Sequence, residues 1–378
     1  MAVRAGAVEE LVNPDFWRGR RVFLTGHTGF KGSWLSLWLK SLGAEVSGLA
    51  LEPGVPGMFV ASRLKESIRS IIGDIRDYAT VERAMREAAP EVVFHMAAQP
   101  LVRESYSQPL ETYASNVMGT AHVLEAVRHS AAVRAAVVIT TDKCYENLET
   151  ERGYRESDRL GGHDPYSSSK ACAELVSLAY RKSFFEAGSA GRALGLATAR
   201  AGNVIGGGDW GEDRLIPDVV RALAGGARPA LRNPGAIRPW QHVLEPLRGY
   251  LMLAERLVAR DAAAYSEAWN FGPREADART VEWVAARFLD LWGTKERWGT
   301  QPGNHPYEAH WLKLDISKAA ARLGWTPALP LEQAIQDTVD WYRRHLAGED
   351  MREASLRQIA AYSQRVRDAV SPIPHPVP

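Results

Sequence analysis

The sequence predicts an α/β protein built on a doubly wound parallel sheet, with a smaller α/β part at its C-terminal end. Short apolar runs alternate with amphipathic helical patterns from residue 21 onward, as expected when crossover helices cover both faces of a parallel sheet. A glycine-rich turn joins the first apolar run to the first helix, and the alternation breaks into "GGGDWGEDRLIPD" near Gly206. We therefore expect one large parallel sheet of the kind that binds nucleotides, followed by shorter strands and helices.

The elements follow one another in the order that this fold requires. The predicted strands are "RVFLTG", "AEVSGLAL", a short strand before "GDIRD", "EVVFHMAA", "VRAAVVITT" and "LGLATARAGNVIG". The predicted helices are "GSWLSLWLKSLG", "TVERAMREA", "NVMGTAHVLEAVRHS" and "SSSKACAELVSLAYRKSF". In the first helix Trp34, Leu35 and Trp38 recur at helical spacing, and Gly43 follows its last turn as a C-terminal stop.

Composition restricts the class of protein. The chain has 378 residues and a formal net charge of +1, without the clustered basic excess of a nucleic-acid binder. Its two cysteines, Cys144 and Cys172, are too few for a disulfide framework and fit a reducing cytoplasm. Acidic residues interrupt the N-terminal segment where a signal peptide would be apolar, and no apolar run approaches the roughly 18 residues of a membrane span. We expect a cytoplasmic globular protein.

The glycine-rich turn "TGHTGFKG" has the spacing of a dinucleotide-binding loop. Gly26, Gly29 and Gly32 lie between the first strand and the first helix, where glycines allow a sharp turn and close approach to a pyrophosphate at the helix N-terminus. A purely structural turn is the alternative, but the flanking strand and helix favour a Rossmann nucleotide site. The sequence predicts NAD as the cofactor.

One usual feature of an NAD site is missing. An acidic residue normally ends the second strand and binds the adenine ribose. Here that strand ends in "GLALEP", with Glu52 slightly beyond the expected position, so either Glu52 or other groups hold the ribose. Asp74 in "GDIRD" is a candidate contact for the adenine, or a solvated turn residue.

The domain limits follow from the same alternation of elements. We expect an N-terminal extension at 1–20, an NAD-binding Rossmann domain at 21–205, and a part at 206–345 that mainly binds substrate, including any segments that return to the sheet. A C-terminal helix and tail are expected at 346–378, where "SPIPHPVP" resembles a disordered end.

A tyrosine and a lysine four residues apart provide the candidate acid–base pair. In "PYSSSKACAE" Tyr166 and Lys170 fall on one face of a helix. A tyrosine is a poor base at neutral pH unless a cation stabilises its phenolate, and Lys170 is expected to lower the pKa of Tyr166 in this way. Lys170 can also hydrogen-bond the nicotinamide ribose.

Taken together, these motifs resemble the extended short-chain dehydrogenase/reductases over nearly the whole chain, from about residue 21 to about 341. The motifs that carry the resemblance are "TGHTGFKG", "FHMAAQP", "NVMGTAHVLEA", "TTD", "PYSSSK" and "RAGNVIG". Further motifs resemble, within that family, the 4,6-dehydratases of deoxysugar biosynthesis that act on CDP-glucose: "GHTGFKGSWLSLWL", "TTDKCYEN", "RAGNVIGGGDW", "RPWQHVLEPLRGYL" and "EAHWLKLDISKA". The expected substrate is CDP-glucose, and a homodimer is expected through the helices that follow Gly119 and Ser168.

The resemblance implies a role for each residue of the catalytic set. Tyr166 would remove the 4-hydroxyl proton, Thr141 would hold the same sugar oxygen, and Asp142 would protonate the departing 6-hydroxyl. Lys143 stands where other dehydratases of the family carry a glutamate that takes the carbon-5 proton. A lysine is a base only when neutral, which desolvation and neighbouring cations favour. The alternative is a strand-end lysine that simply neutralises Asp142.

The remaining site residues follow from the same motifs. We expect the cofactor site to include, besides the Tyr166–Lys170 pair, Gly26, Thr28, Gly29, Phe30, Lys31, Gly32, Asp74, Ile75, Ala97 and Ala98. We expect the substrate to contact Gln99, Arg103, Asn203, Arg214 and Arg238, because guanidinium groups match phosphate oxygens. Trp210, Trp240, His95 and His242 are expected to be core residues, and no metal site is expected because the chain lacks a spaced Cys/His set.

Three alternatives remain open from the residues. A dehydratase of another nucleotide sugar is the nearest, followed by a nucleotide-sugar 4-epimerase on the same fold. Asp142 and Lys143 argue against the epimerase, which needs no acid and base at carbons 5 and 6. A non-catalytic dinucleotide-binding regulator is the third, and the complete set of Thr141, Tyr166 and Lys170 argues against it.

Overall fold

Seven parallel strands form the central sheet. A computed structural model describes residues 11–189, 191–300 and 311–370. The strands are β1 Arg21–Thr25, β2 Glu45–Ala50, β3 Arg69–Ile72, β4 Val92–His95, β5 Ala135–Ile139, β6 Gly195–Ala201 and β7 Ala268–Phe271. Their order across the sheet is β7-β6-β5-β4-β1-β2-β3. The order reverses between β1 and β4, and in such sheets the ligand crevice opens at the carboxyl ends of the strands beside this switch point.

Helices connect the strands as predicted. The longer ones are α1 Phe30–Ser41, α2 Tyr78–Ala88, α3 Gly119–His129, α4 Pro165–Tyr180, α5 Leu215–Ala224, α6 Leu244–Val258, α7 Val281–Trp292, α8 Leu331–Leu346 and α9 Met351–Val370. Shorter helical segments lie at Pro14–Trp17, Met58–Ala61, Leu64–Glu66, Val102–Ser107, Pro109–Tyr113, Ala114–Met118, Asp142–Cys144, Arg181–Phe185, Ala262–Ala264, Glu275–Asp277 and Ala319–Leu323. No helix in the described ranges is long and apolar enough to cross a membrane.

Alternating side chains of the strands bury two separate cores. Along β1, Phe23 packs with Val123 and Val127 of α3, whereas Val22 and Leu24 belong to the core on the opposite face. Both faces of the sheet are therefore covered, which explains why the strands are continuous apolar runs. The doubly wound arrangement predicted from the sequence is confirmed.

The C-terminal part contributes to the sheet as well as to the site. Strand β7 pairs with β6, and Leu247 and Leu251 of α6 lie in the same core as β1. Three small strand pairs complete it: Val204–Ile205 with Gln241–His242, Ile237–Pro239 with Ala278–Thr280, and Ala230–Leu231 with Gly299–Thr300. The boundary expected near residue 206 stays a prediction.

Both ends of the described chain pack on the sheet. Trp17, which precedes β1, is fully buried, and its indole donates to Glu255 Oε1 at 2.7 Å. Tyr362 of α9 stacks edge-on against Trp38 of α1, with ring centroids 5.8 Å apart. The tail expected to be disordered lies outside the described residues.

Candidate active site

A cavity of about 980 Å³ opens at the carboxyl ends of the strands near the switch point. Every residue predicted for catalysis, cofactor or substrate lines it, with the exception of Lys170. Lys170 lies behind the cavity wall, where its Nζ donates to the carbonyl of Ile139 at 3.1 Å. The structure therefore brings the whole predicted set into one place.

The glycine loop forms a cradle that larger residues would close. Gly26 has a φ of +78°, and a Cβ built on it would lie 2.7 Å from the backbone nitrogen of Ala97. A Cβ on Gly32 would lie 2.1 Å from the carbonyl oxygen of Gly26. Helix α1 begins directly after this loop, at Phe30, so its first backbone N–H groups stand at the cavity. The loop fits the pyrophosphate of a dinucleotide.

The end of β2 provides no acid for an adenine ribose. Glu52 is exposed and does not line the cavity, so the suggestion that it holds the ribose finds no structural basis. Asp74 does line the cavity, where the Arg76 guanidinium donates to its Oδ2 at 2.6 and 2.8 Å. Burial alone would raise the pKa of Asp74, but these hydrogen bonds lower it. Asp74 therefore offers a charged acceptor at this end.

The segment after β5 turns so that consecutive side chains share the cavity. Strand β5 ends at Ile139, and Asp142–Cys144 forms a single 3₁₀ turn. Thr141 caps this turn, since its Oγ1 accepts from the Lys143 backbone N–H at 3.3 Å. Because the strand has already ended, its two-sided alternation no longer separates Asp142 from Lys143. Both side chains line the cavity.

Only one of the two carboxylate oxygens of Asp142 has a hydrogen-bond partner among the described residues. Its Oδ1 accepts from Thr141 Oγ1 at 3.0 Å, whereas the buried Oδ2 has no hydrogen-bond partner among the described residues. A Cβ added to Gly202 would approach Oδ2 to 3.2 Å, so only glycine leaves that side open. No described carboxylate pairs with the Lys143 ammonium, so the suggested neutralising pair with Asp142 is not formed. A buried acceptor without a partner is suited to a substrate hydroxyl.

Helix α4 positions Tyr166 and Lys170 beside that turn. Asp164 caps the helix by accepting from the Ser167 backbone N–H at 2.8 Å, and Pro165 occupies its first position. Burial raises the pKa of Tyr166 to about 12, with Thr141 and Arg214 acting in the opposite direction. Burial lowers the pKa of Lys170 to about 8. Desolvation of the phenolate is the largest influence on Tyr166, and the predicted lowering of its pKa by Lys170 stays a prediction.

Lys31, which the sequence predicts for the cofactor site, contributes a second amine to the cavity. It follows the glycine loop, and its Nζ donates to the hydroxyl of Tyr250, on α6, at 3.3 Å. Burial, together with the charges of Lys170 and Arg214, lowers the pKa of Lys31 to about 7, and the charge of Asp142 opposes this shift. The cavity therefore holds a lysine that is partly neutral near pH 7.

Arginines line the other side of the cavity, and acids hold them. Arg214 Nη1 donates to both oxygens of Asp209 at 2.9 and 3.0 Å, and Arg103 Nη1 donates to Asp213 at 3.0 Å. Arg232 also binds Asp213 and lines the cavity, although its sequence context did not single it out. The two aspartates of "GGGDWGED" were the available sequence signal for these pairs.

The remaining predicted ligands also line the cavity. Arg238 is buried and donates to the carbonyl of Ile237 at 2.9 Å. Gln99 faces the cavity, but its side chain also bonds the loop around Leu101. Asn203 lies beside Gly202 in the same wall.

The residues expected to be structural are placed in the core. His95 lies between the hydroxyls of Thr25 and Thr120, at 2.7 and 3.0 Å, and is buried, so its prediction is confirmed. Trp240 and His242 are likewise buried, and Trp210 packs against the same core. Within the described residues there is no group of three or more His, Cys, Asp or Glu side chains placed to hold a metal ion.

Comparison with known proteins agrees with this geometry. The family model described as GDP-mannose 4,6 dehydratase matches residues 23–338. The chain is 53% identical over 354 residues to the CDP-glucose 4,6-dehydratase of Salmonella typhimurium, covering 93% of this chain and 98% of that relative.

Two solved structures are also similar. MoeE5 in complex with UDP-glucose and NAD is 26% identical with a TM-score of 0.72, covering 86% of this chain and 99% of that one. DesIV, a dTDP-glucose 4,6-dehydratase from Streptomyces venezuelae with NAD and TYD bound, is 25% identical with a TM-score of 0.72, covering 88% and 99%. The chain belongs to the GDP-mannose 4,6 dehydratase family of extended short-chain dehydrogenase/reductases.

Proposed function

We propose that the chain is an NAD-dependent dehydratase that converts CDP-D-glucose into CDP-4-dehydro-6-deoxy-D-glucose and water. The observation that carries this proposal is that the buried Asp142 carboxyl group, with one unpartnered oxygen, and the Lys143 amine lie in the cavity that Tyr166 also lines. Oxidation of a sugar hydroxyl alone needs only Tyr166, Thr141 and Lys170. Elimination of water needs an additional acid and an additional base.

The residues of the glycine loop fit the cofactor, with the pyrophosphate at the start of α1. Asp74, Ile75, Ala97 and Ala98 would border its adenosine half, and Tyr166 and Lys170 its nicotinamide ribose. When bound, a nicotinamide cofactor would supply reversible hydride transfer at carbons 4 and 6 of the sugar. A positive charge brought close to Tyr166 would also offset the burial that raises the pKa of its phenol.

The residues around the turn after β5 divide the proton transfers among themselves. Tyr166 removes the proton of the 4-hydroxyl, while Thr141 holds the same oxygen. Lys143, in its neutral form, takes the proton from carbon 5, which the neighbouring 4-keto group acidifies. Asp142, when protonated, gives its proton to the departing 6-hydroxyl from its otherwise unpartnered Oδ2 and is left as a carboxylate. Tyr166 and Thr141 thus act on the same oxygen at carbon 4. Lys143 and Asp142 act at carbons 5 and 6.

The cytidine diphosphate would occupy the arginine-lined side. Arg238, Arg214 and Arg103 supply guanidinium groups for the diphosphate, and Asn203 and Gln99 supply amides. The choice of cytosine rests on the 53% identity to the CDP-glucose dehydratase of Salmonella typhimurium.

Incubation with NAD and CDP-, dTDP-, UDP- or GDP-glucose tests the proposal. The expected result is a 4-keto-6-deoxy product from CDP-glucose, with far slower turnover of the others. Turnover of only a non-cytidine sugar would overturn the nucleotide assignment. A galactose-configured product with its 6-hydroxyl intact would instead identify a 4-epimerase.

A homodimer in the cytoplasm remains part of the proposal. Leu110, Met118, Leu175 and Leu178, on α4 and the helical segments that precede α3, expose 81%, 52%, 52% and 36% of their surface. Helix α4 is one of the two helices expected to pair, and Leu110 and Met118 lie in the segments directly before the other, α3. Apolar side chains exposed there support a second copy of the chain as their partner. Sedimentation at micromolar concentration distinguishes a dimer from a monomer.

A further inference from the structure

A buried ion pair lies directly behind the catalytic residues. Glu174 and Arg200 each expose 4% of their side chains, and the Arg200 Nη2 lies 2.9 Å from Glu174 Oε2. Arg200 Nε also donates to Glu174 Oε1, at 2.9 Å. Burial alone would raise the pKa of Glu174, but Arg200 and the hydrogen bonds lower it, so the carboxylate is charged. None of the roles assigned above uses this pair.

The carboxylate of Glu174 connects two elements that carry the active site. Its Oε1 accepts from Thr140 Oγ1 at 2.5 Å, and Thr140 immediately precedes Thr141 and Asp142. Its Oε2 accepts from Thr198 Oγ1, on β6, at 2.6 Å. Glu174 itself belongs to α4, one turn after Lys170 and two turns after Tyr166. A single side chain therefore fastens the catalytic helix to the catalytic turn.

Arg200 extends the connection to the rest of the turn. Its Nη1 donates to the hydroxyl of Tyr145 at 2.8 Å, and Tyr145 follows Lys143 and Cys144 in the same turn. The Tyr145 hydroxyl in turn donates to Asn270 Oδ1, on β7, at 2.7 Å. Thr140, directly before the Thr141–Lys143 segment, and Tyr145, two residues after it, are thus bonded to the same ion pair.

The charge of Glu174 also acts on Lys170. Burial lowers the pKa of Lys170, and the negative charge of Glu174 is the largest influence that opposes it. The titratable and charged groups that act on Lys170 or are acted on by it are Glu174 of its own helix, Cys144 of the turn, His95 of β4 and Lys31 of α1. Of these, the charged acid is Glu174, since Cys144 is buried and its thiol pKa is raised.

We propose that Glu174 is a positioning residue of the reaction: it holds the Thr140–Asp142 segment at a set distance from Tyr166 and keeps the Lys170 ammonium charged. The expected change in kcat rests on the proposed dehydratase function, whereas the expected effect on Lys170 does not. Two separate effects follow, one on geometry and one on charge, and each has its own variant.

Two threonine variants test the geometric effect. Thr140→Val and Thr198→Val each delete one hydroxyl that donates to Glu174, and valine keeps the β-branched shape. Only Thr140 adjoins the catalytic turn. We expect kcat for CDP-glucose to fall about tenfold in Thr140→Val with KM nearly unchanged, and to stay within about twofold in Thr198→Val. Equal kcat in the two variants would overturn the positioning role.

Glu174→Gln tests the charge effect without substrate. Acylating reagents react only with a neutral amine, so the pH dependence of Lys170 labelling, followed by mass spectrometry, gives its pKa. We expect that pKa to fall by about one unit in Glu174→Gln. Glu245→Gln removes another buried carboxylate, bonded to Tyr362 in the distant C-terminal part, and should leave the Lys170 pKa unchanged.

The outcomes separate the inference from the proposed function. If Lys170 keeps its labelling pKa in folded Glu174→Gln, the charge role is contradicted. If Glu174→Gln does not fold, because Arg200 loses its carboxylate, the Thr140→Val and Thr198→Val pair still decides the geometric role. A wild-type chain that dehydrates no nucleotide sugar would refute the proposed function, while the labelling pKa would still measure the effect of Glu174.

Discussion

The two sides of the active-site cavity are built in different ways. On the sheet side Thr141, Asp142, Tyr166 and Lys170 are 2–8% exposed, and hydrogen bonds tie them to the protein interior. On the other side Arg103 and Arg214 are more exposed, with 38% and 34% of their side chains accessible, and each pairs with an aspartate. The catalytic side is thus set before substrate arrives, whereas a diphosphate must replace or join existing ion pairs on the other side.

This difference separates the kinetic effects expected from substitutions. Groups on the sheet side act on atoms that change charge during the reaction, so their loss lowers kcat. Groups on the arginine side bind the unreacting nucleotide, so their loss raises KM. Partly exposed ion pairs are also individually weak, so exchanging one for a phosphate costs little.

Loss of the phenol on the sheet side should have the largest effect. Tyr166→Phe removes the group that takes the 4-hydroxyl proton, and we expect kcat to fall by about 10³-fold with little change in KM. Tyr180→Phe is the matched control. Tyr180 is on the same helix, but its hydroxyl donates to Glu125 Oε2 at 3.2 Å and does not line the cavity. Steady-state assays of both variants suffice. A Tyr166→Phe enzyme with a normal kcat would remove Tyr166 from the mechanism.

Loss of the proposed carbon-5 base should have the next largest effect. In Lys143→Met we expect exchange of the carbon-5 hydrogen with solvent deuterium to slow by about 10²-fold. Oxidation at carbon 4, followed as reduced nicotinamide, should continue. Lys182→Met, an exposed lysine outside the cavity, is the control. Exchange at the wild-type rate would show that another group is the base.

A conservative change on the arginine side should act on binding. Arg238→Lys keeps the charge but loses the fork that matches two phosphate oxygens, and we expect KM for CDP-glucose to rise about tenfold with kcat within about twofold. Arg279→Lys is the control. Arg279 lies opposite Arg238 in the neighbouring strand, but its side chain is exposed and does not line the cavity. A fall in kcat alone would place Arg238 with the catalytic side.

The smallest effect on turnover is expected at Lys31, where stability is the better measurement. The pKa of Lys31 is about 7 in the folded chain against an ordinary 10.5, so below pH 7 both states are protonated and burial of the charge costs most. Between about pH 7 and 10.5 the folded state has lost the proton that the unfolded state keeps, and this cost disappears. Lys31→Met should therefore raise the free energy of unfolding by about 2 kcal/mol at pH 6 and hardly at all at pH 10.

Thermal unfolding at the two pH values measures this change. Lys40→Met, on the same helix with its Nζ bonded to the Ala44 carbonyl at 3.1 Å, is the control and should show no such dependence on pH. A gain in Lys31→Met that is equal at pH 6 and pH 10 would contradict a buried ammonium at this position.

Features encoded locally in the sequence were the ones that could be predicted. Strands and helices follow from the spacing of apolar residues, and the Tyr166–Lys170 pair and the glycine loop are contiguous in the chain. The amino-acid sequence alone therefore sufficed to predict the fold and the lining of the cavity. Asp142 and Lys143 both reach the cavity because β5 ends at Ile139 and a 3₁₀ turn follows at Asp142–Cys144.

Contacts between distant segments could not be predicted. Lys31 meets Tyr250 across 219 residues, and Arg103 meets Asp213 across 110. Neither pairing follows from periodicity, because each depends on how α6 or the loop before α5 packs over the sheet. The raised pKa of Tyr166 was missed for the same reason, since burial is a property of the assembled cavity.

The central claim is that the Thr141–Lys143 turn converts a shared oxidation into an elimination. The most direct test is incubation of the wild-type chain and NAD with CDP-glucose carrying deuterium at carbon 4, followed by NMR of the product. The account predicts deuterium at carbon 6 of a 4-keto-6-deoxy sugar and solvent hydrogen at carbon 5. Deuterium retained at carbon 4 of a sugar that still has its 6-hydroxyl would contradict it.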